Sequence, residues 1–231
     1  KAKELRAPAN KGGNRFTWDL RHKPVTKIAG DDPAAESEVP GAFVPPGTYT
    51  VTLTVDGKSL EETFDVIPQG GVDTSQDDFD AQYKLSLRIC DQLDRTAQTI
   101  NRMRDLRSQL DGLAARSKGF EGAGEIPAAA EETREHVLEL EKLLAVPDLR
   151  PGWADGINAG ARLYEKLAGL PELVHMGDYR PTDAAEEAFV EMSSRIEAVI
   201  DEFDHLIEGE LADLNAAAFA AGLPATVVQS K

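Results

Sequence analysis

The chain has 231 residues, enough for one large domain or two smaller ones, and its 41 Asp and Glu outweigh 25 Lys and Arg to give a formal net charge of −16. At a sequence pI near 4.7 it repels phosphate backbones and anionic bilayer faces, which disfavours nucleic acid and acidic membranes as partners. Cys90 is the single cysteine, so no internal disulfide can form, and the most apolar tract, 214–228, is broken by Asn215, Gly222 and Pro224 and cannot span a membrane.

The first residues, Lys1 to Arg6, lack the apolar centre of a signal peptide, and loop-like sequence leads directly into a strand pattern. That start suggests a C-terminal fragment with a larger domain upstream. Phe16, Trp18 and Leu20 alternate with Thr17, Asp19 and Arg21, the period-two signature of a strand with one face buried. From His22 to Ala42 the chain carries Pro24, Gly30, Pro33, Pro40 and Gly41 and reads as a long surface excursion. Asp31 and Asp32 are acidic there, but calcium needs about six or more oxygen ligands at organised spacing, and a solvated turn is the simpler reading. Pro45-Pro46-Gly47 then fixes the start of a second strand, in which Tyr49, Val51, Leu53 and Val55 alternate with Thr48, Thr50, Thr52 and Thr54. Asp56-Gly57 favours a two-residue type I′ turn, and Ser59 to Val66 supplies the return strand with Leu60, Phe64 and Val66. Three strands leave a sandwich incomplete, so a further strand is expected from elsewhere, either residues 1–10 or a preceding domain.

Beyond residue 72 the period changes. Thr74 or Ser75 offers an N-cap followed by acids, and Phe79, Tyr83, Ile89, Cys90, Leu93, Ala97, Ile100, Met103, Leu106, Leu110 and Leu113 recur mostly at three- and four-residue steps. A helix reaching about Lys118 is predicted, roughly 65 Å long, with Cys90 behaving as a small hydrophobe. Gly119 to Gly124 ends it. A second helix from about Pro127 to Val146 is expected to bury Val137, Leu140, Leu143 and Leu144. A shorter third begins near Pro151 or Trp153 and carries Ile157, Ala161, Leu163, Tyr164 and Leu167, with Gly156 and Gly160 allowing close approach. Thr182 caps a last long helix to about Phe219, whose inward stripe is Phe189, Met192, Ile196, Val199, Phe203, Leu206, Leu211 and Leu214, against a solvent face of Glu187, Glu191, Glu197 and Asp201.

These readings make an α+β chain of two domains: a small, incomplete Ig-like β-sandwich over 1–70 and an antiparallel bundle of three to four helices over 73–231. The segments Gly13-Asn14-Arg15-Phe16-Thr17-Trp18-Asp19-Leu20-Arg21 and Val44-Pro45-Pro46-Gly47-Thr48-Tyr49-Thr50-Val51 resemble the Ig-like sandwich at the C-terminal end of bacterial sortilin-type or BNR-repeat β-propeller proteins. Ile157-Asn158-Ala159-Gly160-Ala161-Arg162-Leu163-Tyr164 and Gly177-Asp178-Tyr179-Arg180-Pro181-Thr182 are similar to the helical tail that follows it. The resemblance implies an extracytoplasmic protein, secreted, periplasmic or of the cell envelope. It also implies that any glycosyl hydrolase or sialidase-like chemistry belongs to an upstream propeller.

No catalytic, cofactor-binding or metal-binding residues are assigned. Glycoside hydrolysis needs two carboxyl groups about 5–5.5 Å or about 6.5–9.5 Å apart, one with a raised pKa, which spacing in sequence does not reveal. Glu132 lies one helical turn before His136, but a zinc site needs further ligands, and His205 is isolated. Neither a phosphate-cradling loop nor a nucleophile elbow is present. The expected function is therefore non-catalytic: a C-terminal structural and interaction module that packs on its propeller, binds a protein partner or self-associates. The alternative is a carbohydrate-binding accessory to an upstream hydrolase, with Trp18 and Tyr49 stacking on sugar, although their phase in the strands points them inward.

Overall fold

The structure, a computed structural model, describes residues 6–30, 34, 38–147, 160–224 and 226–228. Its spine is α1, Gln76–Ser117, 42 residues long and so about 63 Å from end to end. Ser75 is the N-cap, its side chain accepting from the Asp78 N–H, and Asp77 and Asp78 place negative charge at the positive end of the helix. Gly119, at φ +81°, ends it. Leu85, Ile89, Leu93, Ala97, Ile100, Met103, Leu106, Leu110 and Leu113 are all fully buried, and their three- and four-residue steps keep one seam facing inward along the whole rod. Burial of each large side chain is worth about 1.5–3 kcal/mol, so this seam dominates the stability of the chain.

Different elements cover the two halves of the spine. The C-terminal half packs against α2, Ile126–Leu144. The order of their ion pairs, Arg104 with Glu141 and then Asp111 with Arg134, makes the two helices antiparallel. Val137 and Leu144 are fully buried, whereas Leu143 is 52% exposed and does not join the core as expected. The last long stroke is α5, Asp183–Leu206, continued by a π-helical turn at Ile207–Leu211 into α6, Ala212–Ala220. Arg88–Glu186, Arg95–Glu197 and Arg102–Asp204 advance together along both chains, so α5 runs parallel to α1 and antiparallel to α2. Glu197, expected on the solvent face, instead accepts from Gln92 at 2.7 Å at this seam.

Two short helices, α3 (Leu163–Ala168) and α4 (Leu170–Val174), close the N-terminal half of the spine. The expected start of a helix at Pro151 or Trp153, with Gly156 and Ile157, lies outside the described residues. Gly160 has φ +69° and Ala161 is exposed and non-helical, so helix begins only at Leu163. The remaining cover is an extended arm. Thr26 donates through its N–H (2.8 Å) and hydroxyl (2.7 Å) to Asp94, the Ala29 N–H donates to Asn101, and Arg104 donates to the Ala29 carbonyl. Ile28 and Val39 enter the same core as the helices. The stretch expected as a surface excursion is thus partly a clamp on the spine.

The sandwich is not formed. Among the described residues, strand structure is confined to one antiparallel pair, β1 (Gly47–Val55) and β2 (Lys58–Val66), and those residues are 54% helical and 10% strand. It is a mostly helical protein carrying a small hairpin. The segment 13–21 is not a strand: Phe16 is 48% and Leu20 38% exposed, and Leu20 takes φ +59°, a left-handed turn that ends any extended run. Its alternation had no ladder to join. Around Arg21 the chain pairs with Phe43 through an isolated bridge, together with His22 N–H to the Ala42 carbonyl and Val44 N–H to the Leu20 carbonyl, both 2.9 Å. That pairing serves the arm and leaves the ribbon two-stranded.

Candidate interaction surface

Asp56 and Gly57 have φ +50° and +75°, the two positive values a type I′ turn requires, and they set the register Val55↔Lys58, Leu53↔Leu60, Val51↔Glu62 and Tyr49↔Phe64. At about 3.3 Å per residue the ribbon is about 30 Å long. Period-two alternation sorts its faces. One carries Thr48, Thr50, Thr52 and Thr54 facing Asp65, Thr63, Glu61 and Ser59, with Thr48–Asp65 (2.6 Å) and Thr54–Ser59 (2.8 Å) bonded across the strands. The other is mixed but open: Glu62 stands beside Val51 and Lys58 beside Val55, while Val51, Leu53 and Val55 are 52–57% exposed and Leu60 73%. Isolated apolar residues on a surface are ordinary, but four contiguous ones on a single pleat form a patch.

Among the described residues, only the base of that face is covered. Trp18 packs edge-on against Tyr49 and Phe64 at ring separations of 5.8 and 6.2 Å, and its indole N–H donates to the Arg21 carbonyl at 3.0 Å. The Leu20 turn and an Asp19 side chain accepting from the Arg21 N–H at 3.1 Å bring Trp18 back over the ribbon. Trp18 and Tyr49 are half-buried among aromatic neighbours. The Tyr49 hydroxyl donates to the Pro45 carbonyl at 2.7 Å. Burial raises the Tyr49 pKa, with Tyr83 and Asp80 adding to the effect.

The ribbon joins the helical body through a small polar and aromatic junction. Phe43 carries the Arg21 guanidinium over its ring at 3.3 Å and meets the His175 ring edge-to-face at 5.3 Å. His175 Nε2 lies 2.9 Å from Ser86 Oγ, which donates to the Gln82 carbonyl at 2.8 Å. His22 bonds the Tyr83 hydroxyl at 2.9 Å, and Gln82 donates to the Val174 and Gly177 carbonyls, both at 2.8 Å. Burial lowers the His175 pKa, Arg21 lowers it further and Asp178 opposes them. A cleft of about 280 Å³ opens here between Phe43, Pro46, Ile67, Tyr83 and His175. Its histidine is engaged with Ser86, so the junction reads as a joint.

A larger, open groove of about 750 Å³ lies between the start of α2 and α6. Its floor is alanine-rich, with Ala129, Ala217 and Ala220, and Glu125, Glu132, Glu210 and Asp213 line it. His136 bonds Glu210 through Nδ1 at 2.9 Å, so its partner comes from the π-helical turn rather than from Glu132. His205 is exposed on the last turn of α5. Among the described residues no three His, Cys, Asp or Glu side chains gather as a metal site. Asp31 and Asp32 lie outside the described residues. Cys90 is half-buried against the arm, its sulfur 4.0 Å from the Pro40 carbonyl, and burial raises its pKa.

The sequence left two features unseen. The Ser86–His175 contact spans 89 positions and carries no local pattern. Exposure of the ribbon face was equally hidden, because alternation marks a face without showing whether anything covers it. No helix among the described residues is long and apolar enough to cross a membrane. No protein family, curated protein or solved structure matches the chain. The sandwich implied by the resemblance to sortilin-type and BNR-repeat proteins is replaced by the two-stranded ribbon, and nothing in the comparisons supports such repeats.

Proposed function

We propose that the chain is a non-catalytic recognition module, in which a rigid helical body holds out a β-ribbon for another polypeptide to pack against. One observation carries the reading: Val51, Leu53, Val55 and Leu60 form an uncovered apolar patch on a protein whose spine helix buries its inward stripe from Leu85 to Leu113. A sheet face left open at a cost of water contact, beside two unpaired strand edges among the described residues, is built for strand or face addition. The acid-lined groove supports binding less well, since its carboxylates are solvated and one already has a histidine partner. Trp18 and Tyr49 spend their ring surfaces on each other and on Phe64, which leaves less surface for stacking on a sugar.

The reading is tested with a photo-reactive phenylalanine analogue at Leu53, irradiated in living cells of the source organism. A discrete covalent adduct with a polypeptide is the expected product, and it should be far weaker when the probe replaces Leu173 on α4. Absence of any adduct at Leu53 overturns the reading.

A further inference from the structure

We propose that the occupant of the free β1 edge is β1 of a second copy of this chain, added antiparallel about a two-fold axis through Val51. The inference rests on the reading of the ribbon as a recognition surface and says which polypeptide it recognises.

The two edges of the ribbon differ in charge. β1 contains no charged residue and no proline from Gly47 to Val55, whereas β2 carries Lys58, Glu61, Glu62 and Asp65. Natural edge strands discourage unwanted pairing with charges, prolines or bulges. β2 has that protection and β1 has none. Pairing two β2 edges would crowd three acids from each copy, while pairing two β1 edges brings no charges together.

The β1 sequence is also complementary to itself. About a two-fold at Val51, Thr50 faces the other copy's Thr52, Thr48 faces Thr54, and Tyr49 faces Leu53. Thr–Thr and aromatic–aliphatic neighbours are the cross-strand pairs that stabilise sheets. In an antiparallel strand alternate residues turn their N–H and C=O groups outward, and this arrangement satisfies them. The product is a four-stranded sheet ordered β2-β1-β1-β2. Its apolar face is continuous across the axis and its outer edges are the two acid-bearing strands, which stop further growth.

Two properties follow. One nine-residue strand pair buries less than the ~1,200 Å² of a standard stable interface, so the dimer is weak and concentration-dependent. Each copy has a formal net charge of −16, so added salt, which screens repulsion between the bodies, strengthens the association. A cationic foreign partner would behave in the opposite way.

The test uses the whole chain. Sedimentation equilibrium from low micromolar to near-millimolar concentration should show a monomer–dimer equilibrium that tightens with salt. Val51→Lys, which sets two ammonium groups against each other at the axis, should weaken it at least tenfold, and Glu61→Lys on the other edge should not weaken it. In a Cys90→Ser background, Val51→Cys should form an intermolecular disulfide at the axis, whereas Leu60→Cys on the distal strand should not. The disulfide arm holds even if Val51→Lys disturbs the ribbon. A monomer at every concentration, or a dimer that ignores Val51→Lys and does not crosslink at position 51, overturns the proposal. If the purified chain is monomeric while the Leu53 probe traps a different protein in cells, the second-copy assignment fails and the recognition reading stands. If no adduct forms either, both fail.

Discussion

The spine helix and the ribbon carry apolar stripes of similar regularity and opposite fate. From Leu85 to Leu113 every inward position of α1 is sealed, because α2, α5, the short helices and the arm surround it. On the ribbon, Val51, Leu53 and Val55 alternate as regularly and remain half open, because Trp18 packs at the Tyr49–Phe64 end of that face. Periodicity therefore states a demand for cover, and topology decides whether the same chain supplies it. The core of the body should be sensitive to loss of single methyl groups, and the ribbon face indifferent until a partner arrives.

The largest effect expected on the body side is at Leu106. Leu106→Ala removes a fully buried side chain from the stretch where α1 packs on α2, between long rods that cannot collapse into the gap, and should cost about 4–5 kcal/mol, the upper part of the range for such cavities. Urea unfolding followed by circular dichroism measures it; a loss under about 1 kcal/mol would mean that the seam is not tightly packed.

Next comes Glu141, whose fully buried carboxylate is held by Arg104 at 2.7 Å and by Arg107. Glu141→Gln leaves two mostly buried guanidinium groups facing a neutral amide. Breaking a buried pair typically costs about 3–5 kcal/mol. Both arginines keep some solvent contact and Arg104 also donates to the Ala29 carbonyl, so about 3 kcal/mol is expected in the same unfolding assay. Retention of full stability would show that water takes over the solvation of both arginines.

Much of the body was legible because its signals are local. The Ser75 cap, the spacing of Ile89, Leu93, Ala97 and Ile100, the Gly119 stop and the Thr182 cap all act within a few residues of themselves, and each works as its chemistry dictates. The Asp56-Gly57 turn is local too. What could not be read was long-range. Glu141 meets arginines 34 and 37 positions away, and nothing in their neighbourhood announces it. The segment around Phe16, Trp18 and Leu20 alternates like a strand, but a strand exists only with a neighbour to receive its backbone bonds, and Leu20 turned left-handed instead. The acidic residues of the groove were visible individually, but their convergence depends on how α2 meets the π-helical turn and α6.

The joint between the two regions gives a smaller effect with a definite sign in pH. The His175 pKa is lowered in the folded chain, first by burial and then by Arg21, with Asp178 opposing. The unfolded chain takes up this proton near the ordinary histidine value of about 6.5, and the folded chain resists it. Below that value the unfolded state binds more protons, so the contribution is intact above about pH 6.5 and is lost as pH falls. His175→Gln preserves a polar partner for Ser86 and removes the titration. Melting temperatures at pH 7.5 and 5.5 should therefore differ more for the wild type than for the variant. Equal losses would place the pH sensitivity elsewhere.

The smallest expected effect tests the ribbon most sharply, because a near-zero result is the prediction. Leu60 is 73% exposed on β2 and pairs with Leu53, so Leu60→Thr exchanges an uncovered side chain for another with good strand propensity and should change unfolding free energy by no more than about 0.5 kcal/mol. In a buried strand the same change would strand a hydroxyl in the core and cost several times as much. Measured at concentrations low enough to hold the chain monomeric, a loss above about 2 kcal/mol would mean that the apolar face is already covered within one chain, and the contrast between sealed spine and open ribbon would disappear. If the loss appears only as concentration rises, the missing cover comes from another molecule, and the size of that increment gives the contribution of the Leu60 side chain to the docked state.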